Sequence, residues 1–404
     1  MIAVLAGAAA VLAAIGVIQS LVASRLVASF AGRPIDRPAS RPAVTILKPL
    51  HGDEPLLEAA LTTTCRQDYP NWQIVFGVQH QADPAAAVVR RLQAAFPLLD
   101  IALVVDPALH GANRKIGNLI NMLPAARHDV LVIADSDLHV RPDYLDRLIA
   151  ALQQPNIGLV TTLYAGLPAV SKLPARLGAT QITHGFLPGA LLLRALGRQD
   201  CLGATMCLRR HDLAHIGGFQ ALVDHLADDN VLGRRVAALG LRVALAATVP
   251  LTTVPEATVR ALFRHELRWA RTIRALEPAG FAASVLQYPL AWALLTILLS
   301  GAALWSIALF LVAWVLRAVA ALGVDRALAP LWVEEHGSSD AVALAFSCPV
   351  WLLPLRDLLS VAVMLASYGG RHVEWRGHGL HADTPPPVCR NSEALRPIEG
   401  TNAR

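Results

Sequence analysis

The chain has 404 residues, of which 54% are apolar and 16% are charged, and its formal net charge is +5. With a mean hydropathy of +0.46, this composition excludes a wholly soluble protein and predicts membrane segments. The positive charge is modest and the arginines do not cluster with aromatic residues, which excludes nucleic acid as a partner. A basic surface beside anionic lipid head groups explains the charge better.

The chain begins with an apolar segment that is long enough to cross a membrane. Residues 2–23 contain no charged side chain, and about 20 apolar residues suffice for one span. No basic stretch precedes the segment as in a signal peptide, whereas Arg25, Arg33, Arg37 and Arg41 follow it. By the positive-inside rule, we expect residues 1–30 to be an uncleaved anchor that leaves the following chain in the cytoplasm. The proline-rich residues 31–43 are expected to be a linker.

Residues 44–257 alternate between short apolar strands and helical patterns. Strands are predicted at residues 44–47, 73–78, 101–105, 130–134, 158–162, 200–209 and 243–249, and helices at residues 54–65, 84–95, 114–123 and 141–152. Residues 165–200 have no clear pattern, and we expect them to form helices that cover an acceptor site. The alternation predicts an α/β domain with a parallel, Rossmann-like nucleotide-binding sheet.

The part of the chain after residue 257 has the patterns of membrane-associated helices. Residues 258–280 mix basic and apolar side chains at helical spacing, so we expect an amphipathic helix at the membrane surface, with a solvated helix as the alternative. Within a membrane region at residues 281–370, residues 281–322 fit two spans joined near Ser300, and residues 341–367 fit a third span or a re-entrant segment. Residues 371–404 are expected to be a cytoplasmic tail that is partly disordered.

The strongest candidate site is the point where the predicted strand 130–134 ends. Asp135 and Asp137 follow this strand directly, with Ser136 between them. In α/β sheets, ligands collect at the carboxyl ends of the strands. Two carboxylates could bind Mg²⁺ or Mn²⁺ together with diphosphate oxygens and water. The alternative is an ordinary turn, because Asp and Ser favour turns.

Further candidates lie before and after this pair. Lys115 follows a glycine turn at the start of a helix, a setting that attracts phosphate. Gly203 follows a strand and would let a substrate approach the backbone, or would form a tight turn in the core. Asp228 and Asp229 stand just before a helix, where one could act as a general base and either could be a helix cap.

The basic helix carries a further pair of candidates, Arg268 and Trp269. Arg268 could bind a diphosphate through two hydrogen bonds, which a lysine could not imitate. Trp269 could stack on a ligand, or it could anchor the helix at a membrane interface.

In this order, the residues resemble family 2/21-type glycosyltransferases of the GT-A fold. They are most similar to the ceramide-glucosyltransferase-like branch, including the bacterial hopanoid-biosynthesis-associated glycosyltransferases. The resemblance rests on short motifs in residues 44–277, namely Leu47-Lys48-Pro49-Leu50-x-Gly52, Val78-Gln79, Asp83-Pro84, Lys115-x-x-Asn118, Asp135-Ser136-Asp137, Asp228-Asp229 and Arg268-Trp269. Two positions depart from the family pattern. His80 stands where the family has a nucleotide-binding aspartate, and His265 stands where Gln or Arg begins the Arg-Trp motif.

The resemblance implies roles for these residues. Asp229 is the implied catalytic base, and Asp135 and Asp137 are the implied ligands of Mg²⁺ or Mn²⁺. On the acceptor side, Asp228, His265 and Gly203 are expected to support the reaction. Contacts to the donor and its diphosphate are expected from Lys48, Asp83, Lys115, Asn118, Asp135, Arg268 and Trp269. Because of the departure at His80, either this histidine or Asp83 would replace the usual nucleotide-binding aspartate.

The resemblance also implies an activity and a location. The expected reaction transfers a sugar from a UDP-sugar to a lipid hydroxyl with inversion, at the inner membrane of a bacterium, with the catalytic domain in the cytoplasm. A hopanoid polyol that receives N-acetylglucosamine is the first expected acceptor, and ceramide that receives glucose is the second. Two other classes remain as alternatives, a polysaccharide synthase, which would need more membrane spans, and a non-catalytic membrane scaffold.

Overall fold

A computed structural model describes residues 1–34, 37–332, 340–370, 372–375 and 378–381. Strands β1 to β12 are Val44–Pro49, Trp72–Val78, Asp100–Val105, Val130–Ala134, Leu138–His139, Ile157–Thr161, Ala165–Pro168, Thr205–Arg209, Arg242–Leu245, Leu251–Val254, His372–Trp375 and His378–His381. Helices α1 to α15 are Ile2–Ala31, Leu57–Cys65, Pro84–Ala95, Arg114–Met122, Tyr144–Leu152, Leu173–Gln181, Leu187–Ala195, Arg210–His215, Asp228–Ala238, Val259–Leu276, Pro278–Ala283, Pro289–Leu299, Leu304–Leu328, Asp340–Ala345 and Leu353–Ser367. The predicted disorder of the tail concerns mainly residues 382–404, which lie outside the described residues.

A seven-stranded sheet in the order β3-β2-β1-β4-β8-β6-β9 forms the centre of the described fold. Strands β1 to β4 are parallel, and Val44 of β1 stands opposite Trp72 of β2 and Val130 of β4. Strand β8 runs antiparallel to both β4 and β6, so the prediction of a wholly parallel sheet is wrong. Between β6 and β8 the chain forms β7 of a second sheet and the helices α6 and α7, and it returns to the large sheet at the carboxyl end of β6. Strand β8 therefore runs in the opposite direction to β6.

Both faces of this sheet are buried, which explains why its strands are continuously apolar. In β4, Val130, Val132 and Ala134 face one core, whereas Leu131 and Ile133 face the other. The first core also contains side chains of α2, α3 and α5, and the second contains side chains of α4 and α9. Burial on both faces is typical of sheets covered by helices on each side.

A second, three-stranded sheet in the order β5-β10-β7 was not predicted. Its strands have two to four residues, too short for a clear alternating pattern. The predicted strand at residues 243–249 covers most of β9, and β10 begins only after it ends. Residues 165–200 contain β7 followed by α6, a π-helical turn at Ile182–Phe186 and α7, so the prediction of helices there is largely confirmed.

Three described helical segments are long and apolar enough to cross a membrane, Ile2–Ala31, Leu304–Trp332 and Ala343–Ser367. A fourth candidate is the pair Pro278–Gln287 and Pro289–Leu299, whose two parts are bent by 70°. The predicted turn near Ser300 is confirmed, but the 11 residues of α12 are only about 16 Å long and cannot cross a bilayer alone. The first of the two predicted spans is therefore a bent segment.

Helix α10 begins and ends close to where the sequence predicts. The Thr258 side chain caps its start by accepting a hydrogen bond from the Ala261 amide at 3.2 Å. Its buried residues, Leu262, Glu266 and Ala270, recur every four positions and therefore form one stripe. This stripe includes the carboxylate of Glu266, which pairs with Arg356 of α15.

Candidate active site

A cavity of about 750 Å³ lies at the carboxyl end of β4, between the large sheet and helix α10. Ten of the twelve predicted site residues line it, from both halves of the domain and from α10. They are Lys115, Asn118, Asp135, Asp137, Gly203, Asp228, Asp229, His265, Arg268 and Trp269. The fold thus brings together side chains that are up to about 150 positions apart in the sequence, as the carboxyl edge of an α/β sheet does.

The carboxylates of Asp135 and Asp137 have different partners. The Nζ atom of Lys115 lies 2.7 Å from Oδ1 of Asp135. The hydroxyl of Thr252 in β10 donates a hydrogen bond of 2.6 Å to Oδ2 of Asp137. Burial and the neighbouring charge of Asp135 raise the pKa of Asp137 to about 6. The second sheet therefore orients one carboxylate of the pair, and the pair as a whole carries concentrated negative charge.

This donor set determines what kind of metal site is possible. Within the described part of the chain, no group of three or more His, Cys, Asp or Glu side chains is arranged to hold a metal ion. Two carboxylates supply only part of an oxygen shell, which Mg²⁺ and Mn²⁺ commonly complete with water and phosphate oxygens. Asp135 and Asp137 therefore fit a cation bound together with a diphosphate, and they do not fit an all-protein metal cage.

Lys115 places a permanent positive charge beside this pair. Burial alone would lower the pKa of its ammonium group, but the charges of Asp135 and Asp228 raise that pKa above its usual range. Its position is fixed by α4, whose first turn is capped by the Asn113 side chain through the amide of Ile116 at 3.2 Å. A cation held at a helix N-terminus is suited to bind phosphate oxygens.

The adjacent residues Asp228 and Asp229 point to different partners. Oδ1 of Asp228 accepts a hydrogen bond from Asn113 at 3.2 Å, and its Oδ2 lies 4.0 Å from Nζ of Lys115. Asp229 lies beside Gly203, where the Cβ atom of any larger residue would come within 2.9 Å of Oδ2 of Asp229. Gly203 thus leaves room for this carboxylate. The N-cap position of α9 is Ala227, so neither aspartate is the cap itself.

The two aspartates also differ in their expected chemistry. Burial and the charge of Asp228 raise the pKa of Asp229 to about 7. A carboxylate with such a pKa is suited to accept a proton near neutral pH. Asp228 is held by Asn113 and Lys115 on the inner side of the site, where it orients and neutralises the lysine.

Two predicted donor contacts are corrected by the structure. Lys48 is fully buried, and its ammonium group donates a hydrogen bond of 2.8 Å to the carbonyl of Asp135. It is part of β1, opposite Phe76, and therefore lies inside the sheet and not beyond its edge. Burial lowers its pKa to about 8. Lys48 supports the Asp135 backbone from behind and does not line the cavity.

The second correction concerns Asp83. Its side chain caps α3 by accepting a hydrogen bond from the Ala85 amide at 2.9 Å, and it also accepts one from Gly52 at 2.9 Å. Asp83 does not line the cavity, and neither does the exposed His80. Asp-Pro is a common start of a helix, and this capping role explains the motif.

Among the residues that line the cavity without a predicted role are Glu54, Gln79 and Glu256. Oε2 of Glu54 accepts a hydrogen bond of 2.5 Å from Ser136, the residue between the two aspartates. Nε2 of Gln79 is buried and has no hydrogen-bond partner among the described residues. The Val78-Gln79 motif could have indicated Gln79 from the sequence. Glu54 and Glu256 are isolated acids in loops, and no local pattern indicates them.

Glu256 explains how His265 is held at the start of the Arg-Trp motif. Nδ1 of His265 is hydrogen-bonded to Oε1 of Glu256, and this bond keeps the pKa of Glu256 below its usual range although burial acts in the opposite direction. The imidazole ring packs edge-on against Trp269, with 4.4 Å between the ring centroids. Arg268 and Trp269 both line the cavity, so this side of α10 forms its wall.

Comparison with known sequences identifies the family. Residues 8–386 match glycosyl transferase family 21. The chain belongs to this family. Ceramide glucosyltransferase 1 of Caenorhabditis elegans is 24% identical over 249 residues, which are 61% of this chain and 53% of that protein. The ceramide glucosyltransferase of Komagataella phaffii is 32% identical over 115 residues, which are 28% of this chain and 23% of that protein. The family 21 chain thus spans about half the length of the first of these relatives and about a quarter of the second.

A comparison with solved structures confirms the predicted fold class. The mannosyltransferase PcManGT from Pyrobaculum calidifontis, solved in complex with GDP-Man and Mn²⁺, aligns with a TM-score of 0.50 and 21% sequence identity. The alignment covers 90% of this family 21 chain and 99% of that chain. The chain therefore has a GT-A-like α/β fold combined with candidate membrane helices at both ends.

Proposed function

We propose that this family 21 protein is a membrane-bound, metal-dependent glycosyltransferase that transfers a sugar from a UDP-sugar to a lipid hydroxyl with inversion. The observation that carries the proposal is the content of one cavity. It contains the carboxylate pair Asp135 and Asp137, the cations Lys115 and Arg268, and the separate carboxylate Asp229, whose pKa is raised to about 7. Metal-dependent transfer of a sugar from a nucleoside diphosphate uses these three kinds of group: ligands for the cation, positive charge for the diphosphate, and a base for the acceptor hydroxyl.

The donor would bind through its diphosphate and its base. Lys115 and Arg268 supply positive charge for the phosphate oxygens, and a divalent cation on Asp135 and Asp137 would supply more at the leaving diphosphate. Two buried atoms without hydrogen-bond partners among the described residues, Nε2 of Gln79 and Oδ1 of Asn118, offer one donor and one acceptor. These complement a carbonyl oxygen and the N3–H group of uracil, which supports UDP as the nucleotide.

The transfer step follows from the positions of the charged groups. Asp229 accepts the proton of the acceptor hydroxyl, whose oxygen attacks the anomeric carbon while the bond from this carbon to the diphosphate oxygen breaks. Lys115 and Arg268 stabilise the negative charge that grows on the leaving diphosphate. Because a single displacement occurs at the anomeric carbon, the configuration is inverted. His265 and Glu256 hold the cavity side of α10 in place during this step.

A lipid acceptor is supported by the walls of the cavity. Ile182, Leu262 and Leu276 line it together with the polar groups, and α10 packs beside the candidate membrane segment Ala343–Ser367. A hydroxyl lifted slightly from the membrane would therefore meet Asp229. From the sequence resemblance, a hopanoid polyol that receives N-acetylglucosamine is the first candidate. The names of the relatives favour the second, ceramide that receives glucose.

The proposal is tested by transfer assays with the purified full-length protein in lipid nanodiscs. UDP-glucose and UDP-N-acetylglucosamine are each supplied with ceramide or with a hopanoid polyol, with Mn²⁺, Mg²⁺ or EDTA. We expect metal-dependent transfer with one donor–acceptor pair and a β-linked product by NMR. A retained configuration, transfer that persists in EDTA, or formation of a polysaccharide without glycolipid would refute it. Asp129→Asn is a matched control, because Asp129 is exposed at the opposite end of β4 from Asp135.

We also propose that the catalytic domain faces the cytoplasm of a bacterial cell, where UDP-sugars are made available. The arginines after α1 support this orientation. Ala39→Cys, in the linker, should resist membrane-impermeant thiol reagents in intact cells, whereas Leu304→Cys, at the start of α13, should react. The described native cysteines Cys65, Cys201, Cys207 and Cys348 are buried and give little background. Reaction at position 39 before lysis would reverse the orientation.

A further inference from the structure

A second large cavity, of about 520 Å³, lies beside the edge strand β9 and shares no lining residue with the candidate active site. Four arginines line it, Arg33, Arg147, Arg194 and Arg242, together with the amide side chains of Gln154 and Gln199. Among the described residues that line this cavity, none is Asp or Glu. Guanidinium groups that line a cavity attract an anion, except where a carboxylate outside the lining already offsets their charge.

Two of these arginines form the frame of the cavity. Arg147 is almost fully buried, pairs with Asp143 at 2.7 Å and donates a hydrogen bond to the carbonyl of Ala247. Arg194 donates a hydrogen bond to the carbonyl of Val243 in β9. Both side chains are therefore fixed at the cavity wall by the fold, and the charge of Arg147 is offset there by Asp143.

The other two arginines have no carboxylate partner among the described residues and are exposed. Arg33 stacks on the ring of Phe30, with 5.2 Å from its guanidinium carbon to the ring centroid, and Arg242 donates a hydrogen bond of 2.9 Å to the carbonyl of Pro155. Burial lowers the pKa of Arg194, the nearby charge of Asp200 raises it, and the charges of Arg33 and Arg242 lower it. The guanidinium groups thus lie close enough to affect one another.

The cavity lies where the first candidate span leaves the membrane. Arg33 follows the end of α1 at Ala31, and Val27 and Phe30 of this helix pack against Leu187 and Leu191 of α7. Leu193 of the same helix α7 is 46% exposed, and Leu196, the residue that follows the end of this helix, is 75% exposed. Apolar side chains beside a basic cavity are the arrangement expected at the level of lipid head groups.

We infer that this arginine-lined cavity, called here the arginine cavity, binds a phosphate group and that the source of this phosphate is the head group of an anionic lipid. Arginine binds phosphate oxygens through paired, charge-assisted hydrogen bonds, and Arg33 and Arg242 line the cavity without a carboxylate partner among the described residues. A bound head group would fix β9 and α7 at the membrane surface and so orient the domain. The inference concerns binding alone and does not depend on the proposed transferase reaction.

Binding of short-chain phosphatidylglycerol to the purified full-length protein in neutral detergent tests this inference by calorimetry. We expect saturable binding to the wild type and at least about tenfold weaker binding for each of Arg33→Gln and Arg242→Gln, because each removes one charge-assisted contact. Arg37→Gln is the matched control, since Arg37 is an exposed linker arginine that does not line the cavity. Unchanged thermal unfolding of all variants would show that the fold is kept.

Inorganic phosphate and zwitterionic phosphatidylcholine distinguish the sources of the ligand. Much weaker binding of both than of phosphatidylglycerol supports the lipid source. Inorganic phosphate that binds as tightly as the lipid, with the same dependence on Arg33 and Arg242, would overturn the lipid source. Lipid binding that is unchanged in both variants, or equally reduced in Arg37→Gln, would overturn the site.

Discussion

Arg356 of α15 and Glu266 of α10 form a buried ion pair with two parallel hydrogen bonds, of 2.8 Å and 2.7 Å. The same guanidinium also donates to the carbonyl of Leu177 at 3.3 Å. Next to it, the carboxylate of Asp357 accepts a hydrogen bond of 3.0 Å from the backbone amide of Leu290, at the break between the two parts of the bent segment. The membrane region is thus joined to the helix that carries Arg268 and Trp269 by buried polar contacts.

Breaking this ion pair on one side should destabilise the protein strongly. Glu266→Gln or Arg356→Met leaves an uncompensated buried charge, for which a loss of about 3–5 kcal/mol is typical. The double variant Glu266→Leu with Arg356→Met should recover much of this loss, because both charges are gone. Thermal unfolding in detergent measures the effect, with Arg260→Gln as a control on the exposed side of α10. Equal stability of all variants would contradict a coupling role for the pair.

Asp137→Asn should weaken metal-dependent donor binding with the fold intact. The substitution removes a charged ligand but keeps an oxygen that can accept the hydrogen bond of Thr252. Loss of several kcal/mol of transition-state stabilisation corresponds to a fall in turnover by orders of magnitude. Calorimetry with UDP and Mn²⁺ and a transfer assay provide the two readouts, and Asp129→Asn should behave as the wild type. Near-normal activity would remove Asp137 from the metal site.

The neighbouring aspartates should separate in their kinetics. Loss of a general base lowers the rate by about 10² to 10⁴, so Asp229→Asn should lose turnover while UDP-sugar still binds in the presence of metal. Asp228→Asn should lower activity less, because Asp228 orients Lys115, 4.0 Å away, and does not accept the proton. Turnover and donor affinity are measured for both variants. If Asp228→Asn is the inactive variant and Asp229→Asn is active, the base has been placed one residue too far along the chain.

Strand–helix alternation and the aspartates on either side of Ser136 are sufficient to predict the sheet strands β1 to β4 and the edge at which the site lies. The direction of β8 could not be predicted, because it depends on where the chain goes between β6 and β8 and not on the residues of the strand. The same holds for β5, β7 and β10. They are too short for periodicity, yet Thr252 of β10 orients Asp137.

The site residues show a similar division. Carboxylates and cations in ordered motifs were predicted to share one site, and ten of the predicted residues line one cavity. Lys48 and Asp83 belong to equally clear motifs, but both side chains bond to the backbone. Lys48 contacts the carbonyl of Asp135, which follows the neighbouring strand, and Asp83 contacts the amide of Ala85 in the first turn of α3. Partnerships such as that of His265 with Glu256 depend on tertiary contacts, which no local pattern indicates.

The rate of transfer should fall at acidic pH, and Asp228 should set where this happens. The pKa of Asp229 is raised to about 7 by burial and by the charge of Asp228. Since the base must be deprotonated to accept a proton, kcat/KM should rise with pH up to about 7 and then level off, with the limb displaced to lower pH when a cation neutralises Asp135. Asp228→Asn removes a like charge, so the pKa of Asp229 falls and the acidic limb moves to lower pH.

The profile is measured at saturating metal at each pH, because the pKa of Asp137 is also raised, to about 6. A limb that stays in place or moves to higher pH in Asp228→Asn would show that a group other than Asp229 accepts the proton.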